Sequence, residues 1–380
     1  MRDVYVAAVG MTRFGKYPDR PIEDMGREAV LNAITDAGIQ RSDIEETFCG
    51  TGFGGPLLGQ RILRDLGMTG RPITNVENAC SSGTTALREG ITAIRLGRVD
   101  TALAIGIDKL TRFGTGGTVP LETTDIEVGQ GMVMPALYAM RARRYMHEYG
   151  ATSKHLAMVS VKAHKNGALN PLAQFQKVVD LETVLGSRMI ADPLTLYMCC
   201  PTGDGAAAVI LTTKEKVQQW GVPGIKVAAS VLQSGRYETG FRNMAVNELT
   251  TRTSKLAYEQ AGLGPQDISL AEVHDAFAIA EMLYYEALGF CGAGEAKNLL
   301  ERGETEITGR IPVNPGGGLK CRGHPVGATG VAQVCEAVWQ LRGQAGQRQV
   351  QGAKVALTHA TGGGIAGLDH GACSIHIFTN

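Results

Sequence analysis

The feature that most constrains this chain is an echo between its two halves. Ala37-Gly38-Ile39 is followed by Asp43-Ile44, and Ala261-Gly262-Leu263 by Asp267-Ile268 at the same offset. Cys80-Ser-Ser-Gly83-Thr-Thr85 precedes a segment with helical apolar spacing. So does His324-Pro-Val-Gly327-Ala-Thr329, with glycine and threonine in matching places. An apolar strand pattern follows each, at residues 101–107 and 354–358. A duplicated chain folds into two like halves about a pseudo-twofold axis. Cys80 and His324 are then expected at equivalent helix starts, which brings together a thiol and an imidazole far apart in sequence.

The elements between these landmarks alternate. Residues 4–10 read as a strand, and Ile22–Ala37 as an amphipathic helix stopped by Gly38. Residues 46–52 and 73–77 are strand-like, 82–96 helical up to Gly97, and 101–107 a strand buried on both faces. Alternation with near-continuous apolar strands implies an α/β fold with a mainly parallel sheet. A length of 380 residues suits two similar halves plus an insertion. Residues 112–203 supply the insertion. They open on glycine-rich 114–118, carry helical patterns at 134–149 and 154–165, and give way to an apolar strand pattern at 204–211. The expected organisation is a first half at 1–111 completed by about 204–250, an insertion at 112–203, and a second half at 251–380.

Composition excludes several classes. The 37 basic and 37 acidic residues balance, so no net field draws the chain to nucleic acid or an anionic membrane. The apolar run at 4–9 is too short for a signal-peptide core or a span, and no run of 18 apolar residues follows. A cytoplasmic location is expected. None of the eight cysteines lies in a C-x-x-C pair, so neither a metal site nor disulfides are expected. The 50 glycines are nearly twice the usual share of about 7%. They gather in strings such as Gly316-Gly317-Gly318 and Gly362-Gly363-Gly364, which suit backbone close to a ligand or in left-handed turns.

Two residues carry chemistry. Cys80 lies between a strand and a helix, where N–H groups and the positive dipole end should lower its pKa and make it the most readily alkylated thiol. Small neighbours leave room for a substrate. His324 lies between a glycine string and Pro325, which suits a first helical turn. An imidazole held there can take the thiol proton.

Asn314-Pro-Gly-Gly-Gly followed by Gly323-His324-Pro325-Val-Gly327-Ala-Thr329-Gly330 is similar to the signature of thiolases. Glu77-Asn-Ala-Cys80-Ser-Ser-Gly83 resembles their nucleophile segment, and Thr361-Gly362-Gly363-Gly364 their terminal glycine loop. Val273-His274-Asp275-Ala276-Phe277 resembles the His-Asp-Cys-Phe motif of sterol-carrier-protein-type thiolases, which replaces the Asn-Glu-Ala-Phe of other thiolases. The resemblance covers nearly the whole chain in the right order. It implies a thiolase fold of two duplicated βαβαβαββ halves in five αβαβα layers, with an inserted loop domain. It also implies that Cys80 is acylated and that His324 is its base. Backbone N–H groups of Cys80 and Gly362 would form one oxyanion hole, and His324 with His274 a second, each donor worth roughly 3–4 kcal/mol. Coenzyme A is implied as a substrate bound by residues 112–203, with no tightly bound cofactor. A homodimer or tetramer is implied, with a small zinc-ribbon/OB-fold protein as a possible partner.

One departure bears on mechanism. Thiolases carry a second cysteine that moves the proton at the substrate α-carbon, and both positions where it is expected hold alanine here, Ala276 and Ala360. His359 is the nearest replacement in sequence and Cys291 a further candidate, whereas Cys199-Cys200 read better as buried packing. The implied reaction is cleavage of a 3-ketoacyl-CoA by CoA through acyl-Cys80, on a branched or aromatic substrate such as benzoylsuccinyl-CoA. The alternatives are a C-acyltransferase, a hydroxyacyl-CoA side-chain aldolase, and a non-catalytic thiolase-fold subunit.

Overall fold

The computed structural model describes residues 1–114, 126–236, 241–363 and 371–380. Most of the glycine-rich opening at 114–118, and Gly364, lie outside the described residues. The strands are β1 (Tyr5–Met11), β2 (Glu46–Gly50), β3 (Ile73–Val76), β4 (Thr101–Lys109), β5 (Met189–Ala191) and β6 (Leu194–Thr195), then β7 (Asp204–Thr212), β8 (Ile225–Ser234), β9 (Leu270–Glu272), β10 (Val355–Gly362) and β11 (Ala372–Thr379). β5 and β6 form a small hairpin between β4 and β7. The other nine run in the order β3-β2-β4-β7-β1-β8-β11-β10-β9.

That order carries the duplication. Read outward from the middle, one side is β1-β7-β4-β2 and the other β8-β11-β10-β9. β3 has its counterpart in an isolated parallel bridge between Val313 and Ala271 of β9. The sides join antiparallel through Tyr5 with Lys226 and Val6 with Ile225. The expectation of a mainly parallel sheet is corrected. β2 is parallel to β3 and β4, and β9 to β10. The pairs made by β1, β7, β8 and β11 are antiparallel. Apolar runs report that both faces are covered, and helices cover them here whatever the strand direction.

Three apolar clusters separate five layers. Met25, Ala29 and Val30 of the helix Ile22–Ala37 pack with Ile62 on Ala8, Leu103, Ile105 and Ile210. In the middle, the helix Ser82–Arg95 supplies Leu87, Ile91 and Ile94, and the helix Thr329–Leu341 supplies Val331, Val334 and Val338. They meet Val9, Ala104 and Val209 from one half and Val227, Ala356 and Phe378 from the other. On the far side, Leu249 and Ala257 of the helix Glu248–Ala261, with Met282 and Leu283 of the helix Ala278–Ala287, cover Ala229, Leu357, Ile375 and Ile377. Strand alternation makes this possible: Leu103 and Ile105 face outward while Ala102 and Ala104 face the middle. From the stretch between β4 and β7, Tyr138 stacks on Phe277 at 4.4 Å between ring centroids, and Leu156 and Val159 join the same far cluster. Among the described residues no helix is long and apolar enough to cross a membrane.

The two middle helices start in contact. A Cβ on Gly83 would lie 2.3 Å from the carbonyl oxygen of Gly327, so the matching glycines of the two halves touch backbone to backbone. Gly83→Ala should therefore destabilise the protein by about 1–3 kcal/mol, as overpacking does. Thermal unfolding checks this, and an unchanged midpoint would mean the two helix starts do not meet.

Candidate active site

After β3 the chain turns through a 3₁₀ turn, Ala79–Ser81, into the helix Ser82–Arg95. Ala79 has φ +47°, a left-handed value that costs a residue with a Cβ about 1–3 kcal/mol. Local bonds hold it. The Ala79 N–H donates to the Glu77 carboxylate at 2.6 Å, and the Ser82 hydroxyl to the Ala79 carbonyl at 2.6 Å. The Ser81 hydroxyl donates across to the carbonyl of Ala360 at 3.1 Å, which ties the turn to β10. The result presents the Cys80 side chain, half-buried, at the seam between the halves.

His324 reaches the same place from the second half. It follows the short helix Gly318–Arg322 and bridges in parallel to Thr202. The helix Thr329–Leu341 begins after a turn, not at Pro325 as its sequence suggests; the Ala328 and Thr329 N–H groups both donate to the Pro325 carbonyl at 3.0 Å. The Thr329 hydroxyl donates to the Pro325 carbonyl at 2.9 Å, so its oxygen is left to accept from Nδ1–H of His324 at 2.7 Å. Nδ1 then carries the proton and Nε2 the lone pair. The ring of His274 stands edge-on to that of His324, with centroids 5.1 Å apart. The Cys80 sulfur and one ring nitrogen from each histidine all lie within 4.8 Å of one another, and that spacing would also let a soft divalent ion sit among them. Two surface cavities, about 270 Å³ beside Lys154 and Met158 and about 680 Å³ beside Arg236 and Arg252, are not lined by these three residues.

Family models for the thiolase N-terminal domain and for a thiolase C-terminal domain-like unit match residues 4–215 and 236–369. The chain belongs to the thiolase family. It is 44% identical to an acetyl-CoA acetyltransferase of Methanothermobacter thermautotrophicus, over 100% of each chain. It is 42% identical to the benzoylsuccinyl-CoA thiolase subunit BbsB of Thauera aromatica, covering 96% of this chain and 95% of that one. Identity to sterol carrier protein 2 of Oryctolagus cuniculus is 40%, over 96% of this chain and 70% of that one. Among solved structures, the Ltp2-ChsH2(DUF35) aldolase matches with TM-score 0.85 at 27% identity, covering 98% of this chain and 97% of the other. Human mitochondrial 3-ketoacyl-CoA thiolase shares the fold, with TM-score 0.77 at 16% identity over 100% of this chain and 99% of the other.

The charge state of this thiolase site departs from expectation. Burial pushes the Cys80 thiol up from 9.0 to about 12, outweighing the N–H groups of Gly363 and of Cys80 itself, which pull the other way. Burial, and then the Arg322 guanidinium, push His324 down from 6.5 to about 4. The resting pair is a neutral thiol and a neutral imidazole. Desolvating a thiolate at the seam outweighs the dipole of a helix that begins two residues further on. Burial raises Cys49, Cys199, Cys291, Cys321 and Cys373 to about 12 as well, so acidity does not single out Cys80 among them; what sets it apart is the two imidazole nitrogens within 4.8 Å. An imidazole can take a thiol proton only while it is unprotonated, and His324 stays so down to its depressed pKa. Acylation of Cys80 should hold its rate as pH falls from about 7 to about 5 and decline only near 4. Rapid quenching across that range checks this, and a decline centred on 6.5 would contradict it.

The other predicted positions fall differently. His359 is not among the three residues that meet. Its Nε2 bonds the Thr250 hydroxyl at 3.0 Å and its ring packs on Tyr284 at 4.3 Å, in the far layer. Adjacent residues of a strand face opposite ways, and Ala360, not His359, faces the middle, 3.4 Å from where a Cβ on Gly330 would stand. His359 still reaches the site indirectly, since its Nδ1 accepts the His274 N–H at 3.4 Å. The amide that meets the Cys80 sulfur belongs to Gly363, next to Gly362. Gly362 itself packs so tightly on the turn that a Cβ there would lie 2.0 Å from the Asn78 carbonyl oxygen. Cys291 packs at the edge of the far cluster.

Two carboxylates that sequence reading did not single out frame the site. Asp108, at the end of β4, accepts the Thr51 hydroxyl at 2.8 Å and the N–H groups of Gly52, Phe53 and Gly327 at 2.9, 2.8 and 2.6 Å. It thereby ties the His324 loop to the first half. Asp275 accepts the Leu319 N–H at 2.7 Å and pairs with Lys320 at 2.5 Å, pinning the His274 stretch to the helix that leads to His324.

Proposed function

We propose that this protein is an enzyme that cleaves a 3-ketoacyl-CoA with CoA through an acyl thioester on Cys80. The observation that carries the reading is the convergence of the Cys80 sulfur and two imidazole nitrogens within 4.8 Å. Nε2 of His324 takes the thiol proton, and the sulfur attacks the ketone carbon. The N–H groups of Cys80 and Gly362 steady the tetrahedral oxyanion, while Gly363 holds the resting sulfur. His274 and His324, directly or through a water, steady the enolate oxygen of the departing acyl-CoA. Residues 112–203 hold the CoA moiety, and no tightly bound cofactor is needed.

A branched or aromatic acyl group, benzoylsuccinyl-CoA among them, is supported by the 42% identity to a thiolase subunit of that name. Aldol cleavage of a hydroxyacyl-CoA is the second reading. It is favoured by the alanines at 276 and 360 and by the likeness to an aldolase. The DUF35 protein named in that aldolase supports a small zinc-ribbon/OB-fold partner here. A homodimer or tetramer completes the proposal, and light scattering measures it. The deciding experiment offers 3-ketoacyl-CoA and 3-hydroxyacyl-CoA substrates and records CoA consumption. Thiolysis consumes CoA with each cleavage and aldol cleavage consumes none. Cleavage without CoA consumption would replace the first reading with the second, and no cleavage of any of them would favour a non-catalytic subunit.

A further inference from the structure

A short stretch of the insertion runs along the site. Cys199 forms an antiparallel bridge with Phe277, and the Cys200 N–H donates to the Ala276 carbonyl at 2.8 Å. Residues flanking such a bridge stand opposite one another, with side chains on one face and Cβ atoms about 4.5–5.5 Å apart. Cys200 therefore shares a face with Ala276, and Cys199 turns away to donate to the Thr195 carbonyl at 3.5 Å. Two residues on, Thr202 bridges to His324. The stretch is thus held between the segment that carries His274 and the one that carries His324. Cys80 and Cys200 are half-buried, and His274, Ala276 and His324 are buried. The two thiols are near enough that a charge on Cys80 opposes ionisation of Cys200.

A thioester cleaved between C2 and C3 needs an acid at C2, and alanine at 276 offers none. We infer that the thiol of Cys200 exchanges the proton at the substrate α-carbon. The inference rests on the acyl-Cys80 reading. In the cleavage direction, the Cys80 sulfur, its proton already on His324, bonds to the ketone carbon. The C2–C3 bond breaks, its electron pair goes to C2, and the acyl group stays on Cys80. The S–H bond of Cys200 then breaks, its proton goes to C2, and an acyl-CoA leaves. The Cys200 thiolate recovers a proton from the His324 imidazolium, directly or through water. The neutral imidazole then takes the proton of the incoming CoA thiol, whose sulfur takes the acyl group. Cys80 departs as thiolate and recovers the proton from His324. Burial first, and then the neighbouring Cys199 and Cys80, push the Cys200 thiol upward, which keeps it protonated as the first transfer requires.

The test separates two half-reactions. The enzyme is incubated with acetyl-CoA in deuterated water, deuterium entering the acetyl group is read by mass spectrometry, and acetylation of Cys80 is read in parallel. Cys200→Ala, and Cys200→Ser as the volume-conserving variant, should lose α-proton exchange by about 10²–10⁴-fold while still acetylating Cys80 within a few-fold of wild type. Exchange at the wild-type rate in both variants would overturn the assignment and leave the acyl-Cys80 reading standing. Loss of acetylation along with exchange in both variants would also overturn it, because the residue would then hold the site together. Wild type that neither acetylates nor exchanges would remove the underlying reading and this inference with it.

Discussion

Replacing Cys80 by alanine should lower turnover of a 3-ketoacyl-CoA by about 10⁴-fold or more, because the proposed covalent route needs its sulfur as nucleophile. The loss should not come from unfolding. Cys80 is half-buried, and the bonds that shape its turn come from Ala79, Ser81 and Ser82, not from the sulfur. The N–H of Gly363 loses an acceptor, which bounds the cost in stability at about 1–3 kcal/mol. His324→Ala should cost a comparable factor, and the double variant little more, since the two act as one unit. Steady-state kinetics with matched unfolding curves check the set. Full turnover in Cys80→Ala would mean chemistry that needs no thioester, as in aldol cleavage.

Asp275→Ala should destabilise the protein by about 3–5 kcal/mol, the usual result of leaving one partner of a buried ion pair alone. The Asp275 and Lys320 side chains are both fully buried. Without that carboxylate, Lys320 keeps the backbone carbonyl of residue 275 at 3.3 Å and, as its charged partner, Glu281 at 3.8 Å, which Lys162 already engages at 2.6 Å. The Leu319 N–H would also lose its acceptor. Because Asp275 follows His274 and grips the helix Gly318–Arg322, activity should fall in the fraction that remains folded. Asp275→Asn should recover the Leu319 bond but not the charge pair, and so fall in between. Denaturant titration measures the order, and a cost below about 1 kcal/mol for alanine would show that Lys320 finds water or another partner.

How much of this was legible in the sequence differs from residue to residue. Cys80, His274 and His324 sit in local motifs whose spacing survives folding, so their meeting could be expected. The echo between the halves paired Gly83 with Gly327 in sequence but did not announce their contact, which follows because matching residues of a duplicated fold approach one another at its axis. Strand direction was not legible, since apolar runs record only that both faces are covered. His359 was attractive because it is next to Ala360 in sequence, yet adjacent strand residues face opposite layers. The pairing of Cys199 and Cys200 with residues 276 and 277 is a contact no local pattern announces. Asp108 is one carboxylate at the end of an apolar strand, and its four donors come from two distant loops. The charge state of Cys80 was misjudged because position at a helix start is visible in sequence and depth of burial is not.

The most direct test of the account mixes the protein with acetyl-CoA, quenches in acid, and maps the peptides by mass spectrometry. The account predicts one acetyl group in thioester linkage on the peptide that holds Cys80, formed at a rate that follows unprotonated His324. An unmodified Cys80 peptide while substrate is being turned over would contradict it.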